Sequence, residues 1–447
     1  MNACLALTQA GGPLDAARSF LSSINSAGPL VVAVSGGGDS MALLTALHEA
    51  AVALHGLTIV AATVDHGLRS ASRDEARLVE TYCSALGIRH VTLAWQGEKP
   101  ATGIQAAARL ARYRLLADFA DEIAAAGIVT GHTADDQAET VAMRAQRQPE
   151  GWRSLSGMAA ATLFRRSQWI LRPFLSMRRD ELRGWLSERG VGWVDDPSNE
   201  DGRFERVRVR SRLALSASPE TDEAARERQA ESNAIADLLG ERASVKGGFL
   251  VRLALAQEEA ALPLAHRGAA LLMSVAGGRD HLPPRRAMDR LARFVVARTP
   301  GRLTLSRSVA DWRRDGLYIY RERRDLPALR LMPGEERLVD GRYRLTARGR
   351  PLDVVRAEPA MIEAAAARPE FSEVPPGVLR RALAAEPVLR DGAATCFAFE
   401  GDGPLCDARR HISLFDVFLP FFDYRLANRC ASLFGLAAYK RPPLDIG

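Results

Sequence analysis

Three glycines between two serines, Ser35-Gly36-Gly37-Gly38-Asp39-Ser40, separate a short β-branched segment (PLVVAVS) from a long helical pattern, and no other feature restricts the fold as strongly. Glycine has no Cβ, so such a run tolerates positive φ and lets another group approach the backbone closely. At a strand-to-helix junction its N–H groups can line a concave anion site, where the helix N-terminus also favours negative charge. That geometry suits pyrophosphate. Ser35 and Ser40 add hydroxyl donors, and Asp39 can cap the helix or reach a magnesium ion bridging the phosphates.

The same junction recurs downstream. Apolar runs near 57–64 (LTIVAATV), 88–94 (IRHVTLA) and 127–131 (GIVTG) alternate with helical patterns beginning near Asp39, Ser72 and Gly103, and Ser72 with Glu75 forms a capping box. This alternation predicts a parallel sheet covered on both faces, closed by right-handed crossovers into a doubly wound α/β domain. At 447 residues the chain exceeds one core. Near 215 it turns acidic and alanine-rich, which predicts a catalytic domain over 1–215 and a helical middle domain over 216–326. After Pro327, alternation around the hairpin dipeptide Asp340-Gly341 predicts a small α+β domain over 327–447. The closing apolar stretch LFDVFLPFFDYRLANRCASLFGL reads as core. Residues 284–324 hold 12 arginines against 4 acidic residues, either a solvated helical face or a surface that tracks phosphate.

Composition removes several chemistries. Only Lys99, Lys246 and Lys440 are lysines, and none stands in the Gly-Lys-Ser/Thr setting of a Walker A loop, so any nucleotide is held another way. The five cysteines include no C-x-x-C pair, which argues against a disulfide framework, a structural zinc or an iron–sulfur cluster. No apolar run approaches the roughly 18 residues of a membrane span, and the expected location is cytosolic.

Ligands of open α/β sheets sit outside the carboxyl ends of the strands, so the residues there are the candidates. The second strand ends in Asp65-His66-Gly67-Leu68-Arg69, facing the same crevice as the glycine loop. The fourth ends in Gly131-His132-Thr133-Ala134-Asp135-Asp136-Gln137-Ala138-Glu139-Thr140. Thr133 and Asp136 cap the helix that starts there. His132, Asp136 and either Glu139 or Thr140 project to one edge of its first turn, where they serve either a metal cluster or a base with an amine-binding site. On the preceding helix, Arg109, Arg112 and Tyr113 share a face, as an anion clamp or as solvated surface. Asp196-Pro197-Ser198-Asn199 is a turn, and the following Arg203, Arg206, Arg208, Arg210 and Arg212 form either a basic edge or ordinary surface.

In this order, SGGGDS, DHGLR, ARLARY, GHTADDQAET and DDPSN with its R-x-R-x-R resemble the motif set of the tRNA(Ile)-lysidine synthetase family, within the PP-loop ATP pyrophosphatase class. The first motif alone marks only the class, which also contains other tRNA-modifying and amide-forming enzymes. The resemblance implies an adenine nucleotide alpha-hydrolase-like domain that uses ATP and Mg2+ to adenylate the wobble cytidine of isoleucine tRNA with a CAU anticodon. Free L-lysine then displaces AMP. It implies that Ser35, Gly36, Gly37, Gly38, Asp39 and Ser40 hold the pyrophosphate portion, with Asp39 on the metal and Asp65 and His66 by the nucleotide. His132, Asp136 and Glu139 would sit by the reacting centre, Arg109 and Arg112 by developing negative charge, and Arg203, Arg206, Arg208 and Arg210 on the tRNA. The chain departs from the common pattern at Thr133, where members carry a second histidine, at Arg147-Gln148-Pro149-Glu150, and at Arg206-Val207.

Overall fold

The computed structural model describes residues 11–54, 57–67, 72–147, 156–195, 219–392, 394–401, 403 and 405–445. The turn after Asp195, the arginines Arg203, Arg206, Arg208 and Arg210, and Arg69 lie outside the described residues.

The chain divides into two compact units: residues 1–229 with 420–422 and 440–447, and residues 230–419 with 423–439. The first contains α1 (Pro13–Ser22), β1 (Leu30–Ala33), α2 (Gly38–Leu54), β2 (Ile59–Asp65), α3 (Ser72–Ala85), β3 (Arg89–Ala94), α4 (Ile104–Glu122), β4 (Gly127–Thr130), α5 (Ala134–Arg147), β5 (Ala161–Phe164), β6 (Gln168–Leu171) and α6 (Arg179–Glu188). Each expected strand and helix start is met within a residue or two. Its sheet includes, in order, β5-β6-β4-β1-β2-β3. All neighbours pair in parallel except β5, which runs antiparallel to β6.

The central strands are short and apolar because both faces are covered. Leu30, Val31 and Val32 of β1 and Ile128 and Val129 of β4 are buried. Helix α2 is apolar around most of its circumference and packs between α1 and α6. Burying Leu43, Leu44 and Leu47 there contributes roughly 1.5–3 kcal/mol per side chain. The order β2-β1-β4 is decisive for function. β1 leads to β2 on one side, while β4 lies on the other, so the chain reverses direction across the sheet at β1. A crevice opens at such a switch point, between the carboxyl ends of β1 and β4.

The division between units falls within α7 (Pro219–Arg242). The expected boundary at 215/216 lies among residues that are not described, and that at 326/327 falls inside the second unit. The middle region is not helical alone. Beside α7, α8 (Pro263–Ala276) and α9 (Arg285–Ala297) it carries strands β7 (Ala243–Lys246), β8 (Leu250–Leu253), β9 (Gly301–Leu305), β10 (Ser308–Arg313) and β11 (Gly316–Arg321), which form an antiparallel sheet in the order β7-β8-β11-β10-β9. These strands escape sequence reading because arginine interrupts their alternation. Arg321 is one such residue, buried against Asp340 at 3.0 Å. Arg307 also pairs with Asp340 and Arg313 with Asp311, so part of the arginine cluster serves the interior, while Arg285, Arg286, Arg290 and Arg293 of α9 are exposed.

Further on, β12 (Leu329–Leu331), β15 (Leu352–Arg356), β16 (Pro387–Arg390) and β17 (Thr395–Phe397) form one sheet. A second comprises β13 (Glu336–Val339), β14 (Tyr343–Ala347) and β18 (Cys406–Arg410). The expected hairpin at Asp340-Gly341 joins β13 to β14, with both residues at positive φ. In the closing stretch Phe415, Leu419, Phe422, Leu426, Cys430 and Phe434 are buried.

Candidate active site

The loop after β1 is folded around one hydroxyl. Ser40 Oγ accepts from the Ser35 N–H at 3.1 Å, lies 3.3 Å from Ser35 Oγ, and donates to the Gly37 carbonyl at 2.9 Å. Gly36 has φ +83°, a conformation that excludes most side chains. The Gly36 carbonyl accepts from the Val194 N–H at 2.9 Å, while the N–H groups of Gly36, Gly37 and Gly38 donate to no carbonyl among the described residues. A cup of amide donors at the start of α2 is the result.

The turn after β4 meets this cup backbone to backbone. A Cβ on Gly131 would stand 2.8 Å from the Asp39 carbonyl oxygen and 3.0 Å from its carbon, so only glycine fits. Thr133 N–H and Oγ1 both donate to Asp136 Oδ2 at 3.0 Å, the cap expected from the sequence. His132 Nδ1 lies 2.9 Å from Thr130 Oγ1.

Three of the expected acidic residues converge on a cation that sequence reading passed over. The Arg179 guanidinium donates from Nε to Asp39 Oδ2 at 3.0 Å and lies 3.6 Å from Asp136 Oδ1 and 3.9 Å from Glu139 Oε1. Its backbone N–H donates to Asp135 Oδ2 at 2.8 Å. Glu139 is buried, and Arg179, Asp39 and Asp136 retain little exposure. Burial works against the charged guanidinium, yet Asp39, Asp136 and Glu139 outweigh it and hold Arg179 above its ordinary range. For Asp39 the balance is opposite: burial, assisted by Asp136, lifts its carboxyl despite Arg179. Asp39 Oδ1 is buried with no hydrogen-bond partner among the described residues. Arg179 is the first residue of a helix capped by Arg178, but Asp180 and Glu181 in the same turn already balance the two cations against the macrodipole, so the local sequence does not point to distant carboxylates. Beside it, Arg183 pairs with Asp195 and lies over the Trp193 ring at 5.9 Å.

The remaining candidates form a second group. Arg112 Nη2 lies 3.3 Å from His66 Nε2, and Arg109 sits over the Tyr113 ring at 5.1 Å. Burial pushes the Tyr113 hydroxyl up, but Arg172 and Arg109 bring it below its usual value. The His66 imidazole is pushed down to about 4, chiefly by burial and further by Arg112, with Asp65 opposing. Asp65 Oδ1 accepts from the Gly67 N–H at 2.8 Å.

Among the described residues no group of three or more His, Cys, Asp or Glu is disposed to hold a metal ion by itself. Asp39 Oδ1, beside the amide cup and without a hydrogen-bond partner among the described residues, is an oxygen donor of the kind that suits a magnesium–phosphate complex. No helix among the described residues is long and apolar enough to cross a membrane.

A family model described as a PP-loop domain matches residues 15–216. Over nearly the whole chain, the protein is similar to tRNA(Ile)-lysidine synthase of Rhizobium meliloti (strain 1021), at 43% identity covering 96% of this chain and 97% of that one. The protein of that name from Mesorhizobium japonicum is 39% identical with the same coverage. That from Brucella anthropi is 36% identical, covering 91% of this chain and 94% of its own.

Proposed function

Since the chain belongs to the tRNA(Ile)-lysidine synthase family, whose ATP-dependent ligases form lysidine on tRNA(Ile), we propose that it joins free L-lysine to C2 of the wobble cytidine in a CAU anticodon. The observation that carries this reading is the convergence of Asp39, Asp136 and Glu139 beside an amide-lined cup.

In the first step the cytidine O2 attacks the α-phosphorus of ATP and pyrophosphate leaves. The N–H groups of Gly36, Gly37 and Gly38 with the hydroxyls of Ser35 and Ser40 bind the two departing phosphates. Asp39 Oδ1 would hold Mg2+, which when bound neutralises phosphate charge. Asp65 and His66 flank the nucleotide, and Arg109 and Arg112 face charge developing on the phosphate.

In the second step the lysine ε-nitrogen bonds to C2 and AMP leaves. Lysine's amine has an ordinary pKa near 10.4, so at neutral pH it arrives as ammonium and must lose a proton. Asp136 and Glu139 bind that ammonium, and one of these carboxylates or His132 accepts its proton. Thr133, standing where relatives of the common pattern carry histidine, is occupied as a cap for Asp136. Arg203, Arg206, Arg208 and Arg210 track the tRNA backbone, and the reaction belongs in the cytoplasm, where tRNA and lysine are both present.

The test is direct. Purified protein with ATP, Mg2+, labelled lysine and isoleucine tRNA bearing CAU yields lysine-labelled tRNA, and Asp39→Ala yields none. Unlabelled tRNA from well-folded wild-type protein would defeat the reading.

A further inference from the structure

The loop after the edge strand β3 carries two residues, Trp95 and Lys99, that the reaction above does not use, set against two that it does, His66 and Arg112. Trp95 follows Ala94, the last residue of β3, and its N–H donates to the Asp65 carbonyl at 2.8 Å, which fixes it at the carboxyl rim beside the end of β2. Its indole is half-buried. The Lys99 ammonium lies over the ring at 5.4 Å from the centroid and donates to the Trp95 carbonyl at 3.0 Å. The His66 ring meets the indole edge-on at 6.0 Å, and Arg112 Nη2 lies 3.3 Å from Nε2 of that imidazole. A cation over an indole is common by itself. Here two cations and two planar rings gather at one rim, and the local carboxylate, Asp65, is turned onto the Gly67 N–H. The other acid of the loop, Glu98, is exposed and makes no ion pair among the described residues.

Planar apolar surface flanked by positive charge is the chemistry that holds single-stranded nucleic acid, by base stacking and phosphate attraction. It does not suit an acidic peptide, which needs charge without a stacking plane. We propose that Trp95, with Lys99, forms a stacking platform for an unpaired base of the tRNA anticodon loop, seating the nucleotides that flank the reacting cytidine. The proposal rests on the lysidine reading for the identity of the RNA. The platform itself requires only that unpaired RNA reaches this rim. β3 ends the sheet order, so no further strand among the described residues walls it off.

The experiment uses the full-length enzyme and a CAU anticodon stem-loop without ATP. Trp95→Ala is expected to weaken stem-loop binding roughly tenfold to a hundredfold, the worth of one stacked base. Trp95→Phe retains a ring and should stay within about threefold, and Lys99→Ala should flatten the dependence of log Kd on log salt by somewhat less than one. Stem-loop binding should quench tryptophan fluorescence in wild type, and Trp95→Phe should lose that quench. ATP affinity measured without RNA reports that the variants are folded. Stem-loop binding unchanged in Trp95→Ala would overturn the proposal, as would a rise in ATP Kd with RNA binding unaffected, which would make the indole a nucleotide contact. If wild type forms no lysidine but Trp95→Ala still loses the stem-loop, the platform stands and the lysidine reading falls. Should wild type not bind the stem-loop, the platform falls.

Discussion

Arg179 Nε donates to Asp39 Oδ2 at 3.0 Å across 140 positions of sequence, joining the first turn of α6 to the mouth of the amide cup. Asp136 and Glu139 lie within 3.9 Å of the same guanidinium. Removing the cation leaves three largely buried carboxylates facing one another. Arg179→Met is therefore expected to cost about 3 kcal/mol of stability, the low end for a broken buried pair because the site keeps a little exposure. Arg179→Lys restores charge but not the planar fork, and falls between. Asp39→Asn combined with Arg179→Met should destabilise less than the two singles added together, because each removes the other's partner. Thermal unfolding of the four proteins measures this; strict additivity would contradict the contact.

Gly131→Ala tests the backbone approach between the two loops. The added carbon meets a carbonyl at 2.8 Å, which cannot rotate away as a flexible side chain could. A loss of about 1–3 kcal/mol is expected, as for other overpacked sites. ATP affinity and lysine affinity should both fall. A variant as stable and active as wild type would show that the loops stand farther apart.

The depressed His66 fixes a pH dependence. Its imidazole titrates near 4 when folded and near 6.5 when unfolded, so the unfolded chain binds the proton first as pH falls. Above pH 6.5 the group has no effect. Between 6.5 and 4 it withdraws stability as pH falls, by an amount that solvent screening of this partly exposed site reduces. His66→Asn should lessen the fall in Tm between pH 7 and pH 4.5; an identical pH profile for variant and wild type would refute this.

In the second unit, Asp340 accepts from Arg321 and Arg342, all three side chains buried, and also pairs with Arg307. Burial alone would raise the Asp340 carboxyl, yet these arginines hold it below its ordinary range. Asp340→Ala strands two buried guanidinium groups, although Arg342 keeps Glu386. A loss of roughly 3–5 kcal/mol is expected, measured by denaturant unfolding. A change below 1 kcal/mol would mean that the arginines find other acceptors.

The first domain was legible because its signals are local: apolar β-branched runs, helix starts and glycines lie within a few residues of the atoms they arrange. The Thr133–Asp136 cap was readable for the same reason. Arg179 was not, because its partners are supplied by α2 and α5, far away in sequence, and a lone arginine ordinarily marks solvent. The arginine-bearing strands of the second unit were missed on the same ground. Arg321 looks like surface until Asp340, from a distant hairpin, neutralises it in the interior. Charge pairing over long sequence distance leaves no periodic trace.

The touching backbones of Gly131 and Asp39 give the molecule one fixed frame for two successive events. The cup that would grip the departing phosphates and the turn that would receive the amine abut without an intervening side chain, so neither has slack to drift while the other is loaded. On the proposed reading, a nucleophile delivered from that turn would arrive with its direction already determined by the strand ends, and activation and capture would need no large movement of the chain.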